Sequence, residues 1–280
     1  MTLERCLNEL QSGIGGQKWF PKTKFTQYTG IKGKTPQNLS IDHHHNYVNT
    51  HPLLSENGMY LFRLGSGTFS LVESKDILND YFVQDSIFPD QGERYVSSAS
   101  QQDLFSFSIM PKLTENTLLS LGLATGVIQA GLGMDSEEPI PSPSEANGTY
   151  KFKINNPHDD EDFDHHGQVE IDTVVFGKMN GKYTLFVIEG KEGKPTTTLA
   201  KHKLAYPVMA LASEGNIPEY IDIVPVYVRA WHDKKNDSIH FCIAKFSMNC
   251  NPRDSPLDLK EIKLSSEPKH LYLKNIFLSK

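Results

Sequence analysis

The chain has 280 residues, room for one large domain or two of ordinary size. Hydrophobic residues make up 38% and aromatic residues 10%, too much for a disordered chain. No run approaches the ~18 apolar residues that span a bilayer, so no membrane partner is expected.

A net charge of −6 at first sight argues against a nucleic-acid partner. The acid is bunched, however, in Asp159-Asp160-Glu161-Asp162-Phe163-Asp164, and without that loop the remainder is nearly neutral. A basic cleft is compatible with such a distribution. The first residues carry no signal-peptide pattern. Cys6, Cys242 and Cys250 share no C-x-x-C spacing, which fits ordinary thiols in a reducing cytosol.

In chain order, residues 18–34 hold five lysines and no acid, interleaved with Trp19, Phe20, Phe25 and Tyr28. Cations among aromatics suit phosphate contact and base stacking, and equally suit a basic loop with a few core anchors. Lys18, Lys22 and Lys24 are the DNA-binding candidates there. His43-His44-His45 reads as a polar loop, because adjacent histidines on an extended chain point to opposite faces and do not converge on zinc. Residues 59–71, with Gly65-Ser66-Gly67 in the middle, read as a hairpin, and 76–81 as a short helix.

A helix is expected over residues 114–130, capped by Thr114 and ended by Gly131 and Gly133. Its crowded leucines suit burial on more than one side. Residues 135–148 are rich in Pro, Ser and Glu and read as an exposed connector. Strands follow at 150–154, 168–176 and 183–188, with an acidic loop after the first that is either a flap or simply solvated. A helix over 197–213 contains Pro207, which should kink or interrupt it. Strands at 221–230 and 238–246 complete the series. The β-helix-β step implies a parallel crossover, hence a mixed sheet with helices on its faces.

The strongest local signal is Lys178-Met179-Asn180-Gly181-Lys182, since Asn-Gly between apolar runs favours a two-residue type I′ hairpin. That register sets Met179 against Lys182 and, carried outward, Asp172 against Glu189 and Glu170 against Lys191. Apolar residues on both faces of the strand pair read as burial on both sides. Directly opposed residues have Cβ atoms ~4.5–5.5 Å apart. Two carboxylates that close need a proton or a cation between them. Oxygen ligands suit Mg²⁺, with Mn²⁺ as a substitute, and such an ion can activate water and clamp a phosphate oxygen. Lys191 on the same face can orient the water and stabilise developing charge.

Asp172 followed by Glu189-Gly190-Lys191 at the end of an apolar strand resembles the PD-(D/E)xK nuclease superfamily over roughly residues 113–248. Ile171 stands where the family pattern has proline. The resemblance implies a restriction-endonuclease-like α/β/α sandwich with a mixed five-stranded sheet in residues 113–280. An α+β region, 1–112, would precede it as a recognition domain. By position it implies Asp172 and Glu189 as metal ligands, the Gly190 carbonyl as a third, and Lys191 as the catalytic lysine. Glu170 and Glu115 are candidates for an additional acid.

Lys194, Lys201 and Lys203, taken as the start of the following helix, are further DNA-binding candidates. The expected activity is Mg²⁺-dependent hydrolysis of double-stranded DNA by a cytoplasmic prokaryotic enzyme. It is most like a type II restriction endonuclease acting as a homodimer. The alternatives are a structure-specific resolvase or repair nuclease, and a non-catalytic DNA-binding module on the same fold.

Overall fold

The structure, a computed structural model, describes residues 19–21, 59–65, 68–135, 146–155, 162–248 and 251–277. It opens with three strands, β1 (Trp19–Pro21), β2 (Met59–Gly65) and β3 (Thr68–Glu73), which form a small sheet in the order β1-β3-β2. Next come α1 (Ile77–Tyr81), β4 (Phe82–Gln84), β5 (Glu93–Arg94), α2 (Phe105–Ser108), α3 (Glu115–Ala124) and α4 (Val127–Leu132). The central stretch holds β6 (Ala146–Ile154), β7 (Phe163–Ile171), β8 (Thr173–Met179), β9 (Lys182–Glu192) and β10 (Thr198–Ala200). It ends with α5 (His202–Ser213), β11 (Asp222–Asp233), β12 (Ser238–Ser247), β13 (Lys263–Leu264) and β14 (Lys269–Lys274).

The fold is α+β, organised on a mixed sheet of order β5-β14-β12-β11-β9-β8, with β13 attached to β12. Asn180 and Gly181 both take positive φ, 53° and 77°, as a type I′ turn requires. The resulting ladder runs from Met179–Lys182 to Thr173–Ile188, the register expected from the Asn-Gly turn. β9 and β11 are parallel and joined through α5, the expected crossover.

Alternate residues along the strands face opposite helices. Phe186, Ile188, Val228 and Phe241 pack with Leu118, Leu121 and Ile128 of α3 and α4. Tyr227, Cys242 and Ala244 pack with Leu204, Ala205 and Met209 of α5.

Several sequence expectations change. The central sheet exceeds five strands, and the strand expected at 150–154 is not in it. That strand begins at Ala146, inside the expected connector, and pairs as β6 with β7 in a separate ribbon. The strand expected at 168–176 is broken at Asp172 into β7 and β8, because its two halves pair with different partners. β8 is a sheet edge, so Phe176, 45% exposed, is open to solvent and not buried on both sides. The helix expected over 114–130 divides at Thr125 and Gly126. Thr125 turns its hydroxyl back to the Leu121 carbonyl at 2.8 Å, and Gly126 is left-handed.

The helix expected over 197–213 begins only at His202. Thr198–Ala200 instead pairs antiparallel with β4. Pro207 interrupts nothing: α5 runs through it, omitting a single backbone hydrogen bond. A division at residue 112 does not follow the packing either, since β4 pairs with β10 and β5 with β14. The lysine-rich segment apart from residues 19–21, His43–His45, and residues 136–145 and 156–161 lie outside the described residues.

β4, β10 and β11 meet at a buried ion pair. Asp85 (2% exposed), just after β4, lies 3.0 Å from the Arg229 guanidinium. The Tyr227 hydroxyl donates to Asp85 at 2.9 Å and accepts from Arg229 Nε at 2.8 Å. The Thr197 N–H donates to the same carboxylate at 2.8 Å, while Arg229 also reaches the Thr197 hydroxyl and the Glu192 carbonyl. Burial pushes the Tyr227 hydroxyl far above its ordinary pKa, with Arg229 opposing and Asp85 reinforcing, so it remains a neutral donor.

Removing one partner of such a pair strands the other charge away from water. Asp85→Ala is therefore expected to cost about 3–5 kcal/mol of stability. Chemical denaturation will read this as a lowered midpoint; a loss below 1 kcal/mol ~(the surface-pair range) would contradict the account.

Candidate active site

The carboxyl ends of the parallel strands β9 and β11 carry the ionisable cluster, the position where crossover sheets leave an open crevice. β7 leaves the ribbon and β8 enters the sheet at Asp172, so this residue sits one position beyond the last hairpin pair. Its Oδ2 accepts the Gly190 N–H at 2.8 Å, which ties it to the neighbouring strand. Glu189 and Lys191 share one face of β9. Gly190, between them, faces α3: a Cβ there would lie 2.7 Å from Leu119 Cδ1. The bare backbone thus lets α3 lie close against the strand.

That close seating brings in Glu115, the first residue of α3. Thr114 caps the helix by accepting from the Thr117 N–H. Glu115 Oε2 accepts the Glu192 N–H at 3.1 Å, and Oε1 lies 3.3 Å from Lys191 Nζ. Lys191 Nζ also lies 2.8 Å from Glu189 Oε1 and donates to the Gly190 carbonyl. Thr114, Glu115, Asn116, Glu170, Asp172, Glu189, Lys191 and Lys203 together line a cavity of about 290 Å³.

Glu189 is only 3% exposed. Burial pushes its carboxyl up to about 7; Lys191 opposes that rise and Asp172 adds to it. For Lys191, burial disfavours the charge, but Glu189 and Glu115 outweigh it and hold its pKa above the ordinary value. The ammonium is the counter-charge that touches both Glu189 and Glu115. Asp172, Glu189 and the Gly190 carbonyl offer only oxygen, the donor type that hard divalent cations take. Among the described residues, no group of three or more His, Cys, Asp or Glu side chains is arranged to hold a metal.

The candidate residues separate clearly. Asp172, Glu189, Gly190, Lys191, Glu115 and Lys203 come together. Glu170 does not oppose Lys191: it pairs with Asn147 in the ribbon, and its exposed carboxylate lies 3.7 Å from Lys203 Nζ at the cavity margin. Lys194 is exposed in the loop before β10, not on a helix. Lys201 is buried, and burial lowers its pKa; the charges that act on it are Asp80, Lys263, Asp258 and Glu261, away from the cavity. That burial removes it as a phosphate contact. Lys18, Lys22 and Lys24 lie outside the described residues.

Sequence reasoning missed Thr114 and Asn116 as cavity walls, and Asp85 and Arg229 as supports. The N-cap signal at Thr114 marks the first two, because it fixes which residues start the helix. For Asp85 and Arg229 no local pattern exists, since the pair spans distant parts of the chain.

A mixed α+β fold with an acid-and-lysine crevice at the ends of its parallel strands defines the class of protein. The chain belongs to the family described as Domain of unknown function (DUF6997), whose profile matches residues 80–261. That span takes in every residue of the cavity and both members of the Asp85–Arg229 pair. No curated protein and no solved structure matches the chain.

The electrostatics can be measured without any ligand. In cation-free buffer, the Glu189 carboxyl followed by ¹³C NMR is expected to titrate at about 7. Lys191→Met should move that midpoint upward, because burial then acts with its nearest opposing charge gone. Since the folded pKa is raised, the stability Glu189 contributes is present below its ordinary 4.5 and is lost as pH rises through about 7. A downward shift in the variant would show that Lys191 is not the counter-charge.

Proposed function

We propose that the protein is a Mg²⁺-dependent endodeoxyribonuclease of the PD-(D/E)xK kind. The observation that carries this reading is the convergence of Asp172, Glu189 and Lys191, with Glu115, on one cavity at the end of β9. Mg²⁺ commonly binds through one or two carboxylates and keeps several waters for substrate contacts. Two carboxylates and a backbone carbonyl fit that habit without a larger cage. Bound there, the ion would supply Lewis acidity toward a phosphate oxygen and a more acidic water.

The chain's own groups have distinct tasks. Asp172, tied to the Gly190 N–H, and Glu189, buried in the sheet, would hold the cation. Lys191 is held near that position by Glu115, so its ammonium can orient the attacking water and offset charge that develops on phosphate oxygens. Lys203, across the cavity, supplies a phosphate contact. Within this class, the reading is a sequence-specific type II restriction enzyme. A homodimer would match a two-fold DNA site.

Incubation with phage DNA and Mg²⁺, followed by sequencing of the ends, tests the activity and its sequence preference together. Asp172→Ala and Glu189→Ala should abolish cleavage while DNA binding persists. Lys191→Ala should slow turnover by ~10²–10³, the cost of losing one group that stabilises transition-state charge. Substantial Mg²⁺-dependent cleavage by either carboxylate variant would overturn the assignment. DNA binding by the wild type with no cleavage of any substrate would instead favour a non-catalytic module.

Lys203→Ala gives an independent check. It should weaken binding to all sequences about equally and reduce the slope of log K against log salt by ~0.9, one phosphate contact. An unchanged slope removes Lys203 from the interface.

A further inference from the structure

A second, larger cavity of about 980 Å³ adjoins the acidic one. The boundary between them is crossed within one residue on two separate segments. Leu113 lines the larger cavity and Thr114 the smaller; Glu192 lines the larger and Lys191 the smaller. The start of α3 and the end of β9, joined where Glu115 accepts the Glu192 N–H, thus form a wall that the two cavities share.

The two cavities differ in chemistry. The smaller is lined by four carboxyl groups and two ammonium groups. The larger has walls of Phe105, Phe107, His232 and Phe277, with Lys112 and Lys234 against Glu192 as its charges. Its apolar wall faces water: Phe105 is 51% and Ile109 60% exposed. Flat rings with lysines around them suit an unstacked nucleobase, whose face stacks on aromatics while its phosphates meet the cations. Lys112 lies 3.2 Å from Glu192, which leaves Lys234 as the net charge of the lining, a single cation placed to meet a phosphate beside the rings.

We infer that this cavity receives a base unstacked from the DNA strand whose phosphate lies in the acidic crevice. The inference rests on the nuclease reading and sharpens it: the preferred substrate carries, or is made to present, an extrahelical nucleotide beside the scissile bond. Taking a base out of the stack costs least where it is already unpaired, so binding should discriminate by the presence of that base.

The test uses the full chain and two duplexes that differ at one position. One carries a single unpaired thymine, the other an abasic unit in its place; Ca²⁺ replaces Mg²⁺ to slow turnover. The wild type is expected to bind the thymine duplex about tenfold more tightly, the order of one base–aromatic stack. Phe105→Ala and, separately, Ile109→Ala should erase that preference while leaving the melting temperature and the affinity for the abasic duplex unchanged. Both side chains are half exposed, so folding does not depend on them.

Equal wild-type affinity for the two duplexes overturns the inference, as does a preference that survives both substitutions. Loss of self-association in the variants, with base preference intact, would assign the cavity to a second copy of the chain. The nuclease reading is judged apart, by Mg²⁺-dependent cleavage of an ordinary duplex. A base preference without any cleavage sinks that reading and leaves the cavity as a base-binding site.

Discussion

The buried Asp85–Arg229 pair is the constraint on which the arrangement at the strand ends depends. Isolated charges in a protein interior are costly, and this pair is tolerable because its remaining hydrogen-bonding capacity is used. Tyr227, Thr197 and the Glu192 carbonyl take up the donors and lone pairs. Each of those groups comes from a different place in the chain. The pair therefore fixes the loop after β9, the β4–β10 bridge and the course of β11 relative to one another. Glu192 follows Lys191 directly, so its carbonyl carries that rigidity to the edge of the acidic cavity.

The break in the chain at Asp172 matters for a similar reason. A continuous strand would place that side chain in a regular pleat, with half of its neighbours decided by sheet geometry. Here the ribbon strand ends at Ile171, the sheet strand starts at Thr173, and the residue between is held by the Gly190 N–H. Its direction is set by that bond, and Glu189 is set by the sheet. The bond thus ties Asp172 to the strand that carries Glu189, and both carboxylates line one cavity.

How much of this was legible depended on the range of the signal. The Asn180-Gly181 turn is local chemistry, and it set the hairpin register correctly through seven residue pairs. The crossover from β9 through α5 to β11 followed from element order alone. The break at Asp172 was not legible, because nothing in Val169–Thr173 shows that β6 will compete for the first half of the strand. The short strand Thr198–Ala200 was taken for helix for the same reason: its partner, β4, lies more than a hundred residues earlier. Asp172, Glu189 and Lys191 lie near the end of the strand pair whose register the turn sets, although the ladder stops at Thr173–Ile188, one step short of opposing Asp172 to Glu189; Glu115 reaches them because the bare backbone of Gly190 lets α3 lie against the strand. Lys201 misled because a lysine beside His202 and Lys203 reads as solvated, while its side chain is enclosed near Asp80 and Asp258.

The position of Lys191 has a consequence for the life of the protein before it meets a ligand. Two of the four carboxylates of the crevice are paired from within the chain, by an ammonium that touches Glu189, Glu115 and the Gly190 carbonyl. The charge balance of the crevice is thereby set within the chain, by the end of β9 and the first turn of α3. On the nuclease reading, an incoming cation would have to compete with this tethered ammonium for the same oxygens. A polyanion bringing oxygens of its own would draw the lysine aside, so on that reading ion and substrate would be taken up together.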